Sequence, residues 1–500
     1  MFSPLNADGV INPHRHGPNA LGRIDLIAAC GLAIVIAYLV ATENLNWVPF
    51  ALGGVIGLVV LLMRWPDGAL IGLLVAGSIP RWFMPVSTWN AKPEHIVAAA
   101  CGGILLFRIF AKMHTWQPLE KLDLLLLAFL AVNYISSFWF SPERASTLRW
   151  ALLQTLAASP FFLIRQLVTT KEQFARVMKW WLFVGALEAT FGLLCYFSHV
   201  LFGTGVGITL FFYIGFIPGV HGSLWEPNIF GSYCTCFAVM YLFYYLHDKS
   251  KKTWYMVAFA LSTVGLLLSL ARQAWVCLIV VGGGVFLYSL RRSRGQKKKK
   301  RQWKRLVFSI AGVLLAFAVA LTAMRGLSDR LTTLSVSEAA EDPTVVRRAG
   351  LVTLALQDIE QHPIVGMGSS SFQLLYLGED DSYQGVGQAW LGSLFFRVVH
   401  DTGIIGMVLL GWFIVNLGRR AWRVLAVQDA TTTAVGALLA GAIVMVIAYQ
   451  LTDASTLAFT WIHLGLLAAG VHIAEISSTV SRARVDGPSR SYSTVPQTTT

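Results

Sequence analysis

What most constrains this chain is a succession of apolar runs, each long enough or nearly so to cross roughly 30 Å of hydrocarbon as a helix. They fall at about 24–41, 47–63, 68–80, 95–111, 123–140, 150–167, 179–198, 229–246, 254–270, 274–290, 306–323, 391–417, 433–450 and 456–474. In lipid every backbone N–H and C=O must be satisfied within the protein, and runs of this length do so as helices. The expected class is therefore all-α, a polytopic transmembrane helical bundle of about 14 spans. Charge is correspondingly scarce. Asp, Glu, Lys and Arg make up 13% of the chain and hydrophobic residues 55%, with mean hydropathy +0.61, whereas a soluble domain carries about a quarter charged residues.

The net charge of +13 and the pI near 9.6 do not point to nucleic acid, because the basic residues sit in short segments between the apolar runs. Placing the block 291–305, with its lysine run 297–300, in the cytoplasm fixes every other loop by alternation. The segments then inside hold 29 of the 39 Lys and Arg residues, as insertion bias requires. Both termini are cytoplasmic in this reading, and the membrane is the plasma (inner) membrane. The first run follows a polar start without a small-residue cleavage pattern, so it reads as a retained helix. Cys30, Cys101, Cys195, Cys234, Cys236 and Cys277 all lie in apolar segments with no CxxC pair, and read as small core residues.

The chain divides into N-terminal transmembrane helices (1–219), a central region (220–417), C-terminal transmembrane helices (418–474) and a Ser-, Thr- and Arg-rich disordered tail (475–500). The central region includes a long extracytoplasmic loop, about 324–390, which must hold structure of its own. In it, Asp342 and Pro343 are natural N-cap and first-turn residues. They open an expected helix through Val345, Leu351, Leu354 and Ile359 that stops near His362 and Pro363.

The basic residues left outside are Arg81, Lys92, Arg144, Arg149, Arg272, Arg325, Arg330, Arg347, Arg348 and Arg397, nearly all arginine. Guanidinium matches phosphate oxygens bidentately and keeps its charge when partly desolvated, so outward arginines at helix ends suit an anionic lipid headgroup such as a pyrophosphate. Snorkelling or pairing with outer carboxylates is the competing reading for each. Arg272 lies in the very short connection Ser269-Leu270-Ala271-Arg272-Gln273, where an unpaired charge so near hydrocarbon costs a few kcal/mol; it is the first candidate.

Arg397, His400 and Asp401 are spaced i, i+3 and i+4 at the start of a span, so a helix sets them on one face. Histidine suits removal of a proton from a sugar hydroxyl, with Asp401 holding it or pairing with Arg397. An ordinary Arg397–Asp401 helix pair is the bland alternative. Trp225, Glu226 and Asn228 open another span after His221. Capping explains Glu226, Pro227 and Asn228, and sugar stacking by Trp225 with hydrogen bonding by Glu226 stands beside it. His362 reads as a turn residue. The trio Glu379, Asp380 and Asp381 reads as a solvated loop rather than a cation site, and no metal is assigned. No phosphate-binding GxxxxGK[ST] loop, GxGxxG, HExxH or CxxC is present, so the sequence lacks the usual marks of nucleotide hydrolysis and zinc chemistry.

The order of these features, Glu226-Pro227-Asn228, Arg272, a long loop ending in His362-Pro363-Ile364-Val365-Gly366-Met367-Gly368, then His400, resembles the O-antigen ligase and polymerase superfamily over about residues 220–417. The ligase signature is His, then Asn, Ser or Gln, with Leu four and Gly eleven positions on. Here His400 and Gly411 fit it, and Asp401 and Ile404 depart from it, so a polymerase or polysaccharide-specific relative stands beside the ligase. The resemblance implies an inverting, metal-independent and cofactor-free glycosyltransferase on the extracytoplasmic face. Its donor is a polyprenyl-pyrophosphate-linked (undecaprenyl-type) glycan, and its acceptor is a glycan, lipid or protein in the assembly of lipopolysaccharide or exopolysaccharide. Flippase and chain-length regulator proteins are the implied partners. By the same analogy Arg272 and His400 are catalytic, and Arg347 or Arg348 binds pyrophosphate. The alternative is a multi-span transporter of an anionic or sugar substrate; such proteins place ionisable groups near the bilayer midplane, and few lie within these runs.

Overall fold

The computed structural model describes residues 66–79, 93–112, 114–211, 217–224, 226–248, 252–292, 343–376, 391–427, 429–450 and 457–485. In chain order the helices are α1 (Pro66–Gly77), α2 (Pro93–Phe110), α3 (Lys121–Trp139), α4 (Arg144–Leu167) and α5 (Lys171–Phe202). A two-stranded hairpin follows, β1 (Ile208–Phe211) and β2 (Ile217–Val220). Next come α6 (Pro227–His247), α7 (Lys252–Leu268), α8 (Arg272–Arg292), α9 (Pro343–Gln361), α10 (Ser371–Leu375), α11 (Leu394–Val424), α12 (Ala430–Ala448) and α13 (Ala458–Val485).

Eight of these, α3, α4, α5, α6, α8, α11, α12 and the first 21 residues of α13, are long and apolar enough to cross a membrane, and α7 contributes a shorter apolar helix, Thr253–Leu268. Every expected span from 68–80 onward has a helix on it, except 306–323. That run and the runs 24–41 and 47–63 lie outside the described residues, as do Trp225, the lysine run, the acidic trio and the tail beyond 485. The hairpin is an addition to the expected all-helical plan. Its strands are antiparallel, with Ile208 opposite Val220 and Phe211 opposite Ile217.

Helix ends are set by local chemistry. Thr170 and Gln173 form a reciprocal capping box at α5, and Asp429 with Thr432 does the same at α12, each satisfying orphan N–H groups. α5 stops where Gly203 turns left-handed at φ 69°, a conformation that glycine adopts without Cβ strain. Pro227 occupies the first turn of α6, where its missing N–H costs nothing.

The helices assemble around two packed groups. α3, α4, α11 and α13 form one, and α5, α6, α7, α8 and α12 form the other, joined where α12 meets α13. α6 is buried along nearly its whole length, and its Phe230, Tyr233 and Phe237 are enclosed by neighbours such as Trp181 and Phe459. The outer faces of α5 and α8 carry exposed Trp180, Phe183, Leu187, Leu194, Val276 and Ile279, the apolar surface that a bilayer covers.

Contacts between termini define the two ends of the bundle. At one, Leu394 N–H donates to Tyr449 O at 2.7 Å, Tyr449 shares a 2.7 Å hydroxyl bond with Thr460, and Phe459 meets Tyr233 edge to face. The starts of α6, α11 and α13 and the end of α12 therefore lie together. At the other, Glu120 before α3 meets Arg165 of α4, Arg420 of α11 and His472 of α13.

Candidate functional site

The helix expected in the long loop is present as α9, ending at Gln361 just before His362. After it the chain turns and docks its backbone into a break in α11. Pro363 O accepts from Ile404 N–H at 2.9 Å, Ile364 O accepts from Ile405 N–H at 3.3 Å, and Met367 and Gly368 N–H donate to the carbonyls of His400 and Asp401 at 2.9 Å each. The break is at Gly403 (φ 64°, ψ −168°), and Gly366 faces it at φ 75°. A Cβ on Gly366 would lie 2.5 Å from Thr402 N, and one on Gly403 would run into Ile364 O. Both glycines are required by close backbone approach and by left-handed geometry.

This docking assembles a buried charged group. Arg397 Nε lies 3.6 Å from Asp401 Oδ2, and Asp401 Oδ1 lies 3.3 Å from His400 Nδ1. His400 Nε2 lies 3.1 Å from Asp358 Oδ2, a carboxylate contributed by α9. Tyr376 hydroxyl donates to the same carboxylate, 3.2 and 3.1 Å from its two oxygens. Ser370 N–H donates to Asp401 Oδ2 at 2.8 Å, Ser136 hydroxyl donates to Asp401 O at 2.8 Å, and Ser371 Oγ is 3.4 Å from His400 Nδ1. Phe372 closes over the imidazole edge to face at 5.3 Å. Both ring nitrogens of His400 thus face carboxylate oxygens, which only accept, and all contacts are satisfied when both nitrogens carry hydrogens. Asp401 both holds His400 and pairs with Arg397, so the two readings of the i, i+3, i+4 spacing coexist.

A second group surrounds Arg272. This residue starts α8 and is half-buried, and its neighbour Gln273 donates to Asn228 Oδ1 at 3.1 Å. Asn228 is in the first turn of α6, two residues after Glu226, which is exposed at the N-cap. Close packing of α6 on the turn brings Gly231 against Ser269 and Ala271. The loop leading into α6 is tied down by a buried acid, Glu188 of α5. It accepts from Ser223 N–H at 2.8 Å and from the Ser223 hydroxyl at 2.7 Å.

The structure therefore gathers the sequence candidates into two groups, Arg397, His400 and Asp401 in one and Asn228 beside Arg272 in the other, at the same end of the bundle. Arg347 and Arg348 lie in the first turns of α9, far along that helix from Asp358; Arg348 is exposed, and the Arg347 side chain lies outside the described residues, like Trp225. Among the described residues the non-glycine positions with positive φ are Lys112, Leu270 and Ser370. Leu270 borders Arg272 and Ser370 binds Asp401, so backbone strain falls in both groups, as it tends to at functional sites. Sequence reasoning missed Asp358, Tyr376, Ser370 and Ser371. Asp358 was visible only as a polar residue in an amphipathic helix, and the serine run followed the glycine turn without a recognisable motif.

Residues 257–411 match the family described as O-antigen ligase. This segment is an O-antigen ligase-related domain. The domain runs from α7 to the middle of α11 and so includes Arg272, Asp358, Arg397, His400 and Asp401. The α6 motif lies just ahead of it. The match connects this segment with polysaccharide assembly of the ligase or polymerase type, and the apolar helices mark a multi-pass membrane protein. No curated protein matches the chain.

Proposed function

We propose that the protein is an inverting, metal-independent glycosyltransferase that ligates or polymerises a polyprenyl-pyrophosphate-linked glycan on the extracytoplasmic face. The observation carrying this reading is that the O-antigen ligase-related domain contains Arg272 and the group of Asp358, Arg397, His400 and Asp401, and that these lie at one end of the bundle. That end is opposite the one where Arg165, Lys171, Arg292 and Arg420 collect, and a basic excess marks the cytoplasmic side. About 14 spans, cytoplasmic termini and residence in the inner membrane complete the topology.

In this reading Arg272, with Arg347 or Arg348, grips the pyrophosphate and meets the charge that develops as it leaves. Arg397, His400 and Asp401 serve the acceptor side, and Glu226, Asn228 and Trp225 line the approach of the glycan. A flippase supplies the donor, and a chain-length regulator accompanies the polymerase form. Cells lacking the gene should accumulate full-length lipid-linked donor. Replacing Arg272 or His400 by Ala should abolish transfer, a loss of at least about 10²-fold, while the protein still inserts; full activity in both variants would overturn the assignment.

A transporter would use an ionisable group within the bundle, and Glu188 is such a group. Its carboxylate is already engaged by two bonds from Ser223, which suits an anchor better than a carrier site. Uptake of glycan or anion by purified protein in liposomes, without transfer, would reverse this ranking.

A further inference from the structure

We infer that Asp358, rather than His400, is the group that meets the acceptor hydroxyl, with His400 as the positioning residue behind it. The inference rests on the glycosyl-transfer reading above and assigns its base.

The four ionisable side chains of the buried group are arranged in order of access. His400 is fully enclosed at 0% exposure, Asp401 and Arg397 are at 5% and 7%, and Asp358 is the most open at 12%. Of the four, Asp358 is the one nearest to access for an incoming hydroxyl. Both nitrogens of His400 are occupied by carboxylates, and Phe372 and Ser371 cover its flank. For His400 to take a proton from a sugar, α9 would have to withdraw Asp358 from Nε2. Asp358 keeps its partners when it takes the proton, and it is the least enclosed of the four. The carboxylate is oriented by the imidazole on one side and by Tyr376 on the other, and its two oxygens carry more acceptor positions than these donors fill.

The line Arg397, Asp401, His400, Asp358 alternates in charge when the imidazole is protonated, so each member orients the next, as a buried acid orients a histidine in hydrolytic triads. Here the outermost member is a carboxylate, a group able to act as base toward an alcohol when held in place. The step balances as follows. The acceptor O–H proton passes to Asp358, and the oxygen lone pair forms the new bond to the anomeric carbon. The bond from that carbon to the pyrophosphate oxygen breaks on the opposite face, and its electron pair leaves with the polyprenyl pyrophosphate. Asp358 returns the proton to solvent before the next turnover. The ligand class assigned to this end of the site is a sugar or other alcohol hydroxyl.

The experiment uses the full chain in lipid nanodiscs. The donor is polyprenyl-pyrophosphate-linked glycan extracted from cells lacking the gene, and a membrane extract of the same cells serves as acceptor source. Donor binding and release of polyprenyl pyrophosphate are measured separately. Asp358→Asn preserves volume and should lower kcat by about 10²- to 10⁴-fold while donor affinity stays within about twofold. Added formate should restore part of the turnover of Asp358→Ala. If Asp358→Asn does not fold, Tyr376→Phe removes one orienting donor and should lower kcat several-fold at unchanged donor affinity. A kcat for Asp358→Asn within about threefold of the wild type, loss of donor binding in step with transfer, or an unchanged kcat in Tyr376→Phe overturns the assignment of Asp358 and leaves the transferase reading standing. A wild-type chain that neither binds nor consumes the donor removes both.

Discussion

The two ends of the bundle each gather arginine, histidine and carboxylates, and they do so in opposite ways. At the Glu120 end, Arg165 bridges Glu120 and Asp123 at 3.0 and 2.7 Å, while Arg420 bonds Glu120 at 2.5 Å and forks onto Glu475 at 3.0 and 2.5 Å. His472 adds a 2.6 Å contact to Glu120. All these groups stand on or beside unbroken helical turns, every carboxylate faces a guanidinium, and four helices are tied together. At the Asp358 end the contacts are longer, 3.1 to 3.6 Å, and irregular backbone adjoins them: a helix break at Gly403, a glycine turn at Gly366 and a left-handed Ser370. Short, multiply bridged pairing on regular helical turns is the signature of a staple. Looser pairing on strained segments is what a site that must accept another partner looks like.

The comparison breaks most severely if the broken helix can be repaired without consequence. Gly403→Ala should remove transfer and destabilise the protein by about 1–3 kcal/mol or more, because the added methyl meets Ile364 O at a positive φ; thermal unfolding and donor consumption report the two losses. Next in size, Arg420→Ala and Arg397→Ala should separate the ends. Losing Arg420 strips partners from Glu120 and Glu475 and should cost about 1–3 kcal/mol, with turnover per folded molecule unchanged. Losing Arg397 should cut turnover at a smaller change in unfolding temperature. The reverse pattern would make the Asp358 end the staple.

A third prediction concerns pH. The bond from His472, with Arg420 and Arg165 nearby, holds the Glu120 carboxyl down at about 2 from its ordinary 4.5, against the opposing effect of burial. A carboxyl depressed on folding contributes stability that is complete above about 4.5 and is lost as pH falls toward about 2. The unfolding temperature of the wild type should therefore decline across that window, and Glu120→Gln should flatten the decline. The smallest effects belong to the helix ends. Thr170→Ala removes the cap of α5 and should cost about 1 kcal/mol. Lys171→Ala breaks only an exposed 3.9 Å pair with Asp429 and should cost less than about 0.5 kcal/mol.

Most of the helical plan was legible because hydrophobic length is a direct constraint of the bilayer. The runs from 68–80 to 456–474, apart from 306–323 outside the described residues, describe the helices to within a few residues except where α4, α5, α11 and α13 extend into polar flanks, and the Asp342-Pro343 start placed α9 correctly. The grouping of Arg397, His400 and Asp401 was also legible, since i, i+3 and i+4 positions share a helix face whatever surrounds them. Asp358 was not. Its partner is 42 residues away, and their meeting depends on Gly366 and Gly403 fitting backbone to backbone, a tertiary event with no periodicity to announce it. The hairpin at 208–220 was missed because its strands are four residues each, too short for alternation to register. The Arg165 to Glu475 staple joins four segments, none of which shows by itself what it will meet.

The seam between 363–368 and α11 is made of main-chain hydrogen bonds, which are blind to side-chain identity. Substitutions at Ile364, Val365 or Met367 can therefore accumulate while the anchorage survives, provided Gly366 and Gly403 are kept. The joint thus leaves the exposed side chain of Ile364 free to vary without recasting the backbone fit beneath it.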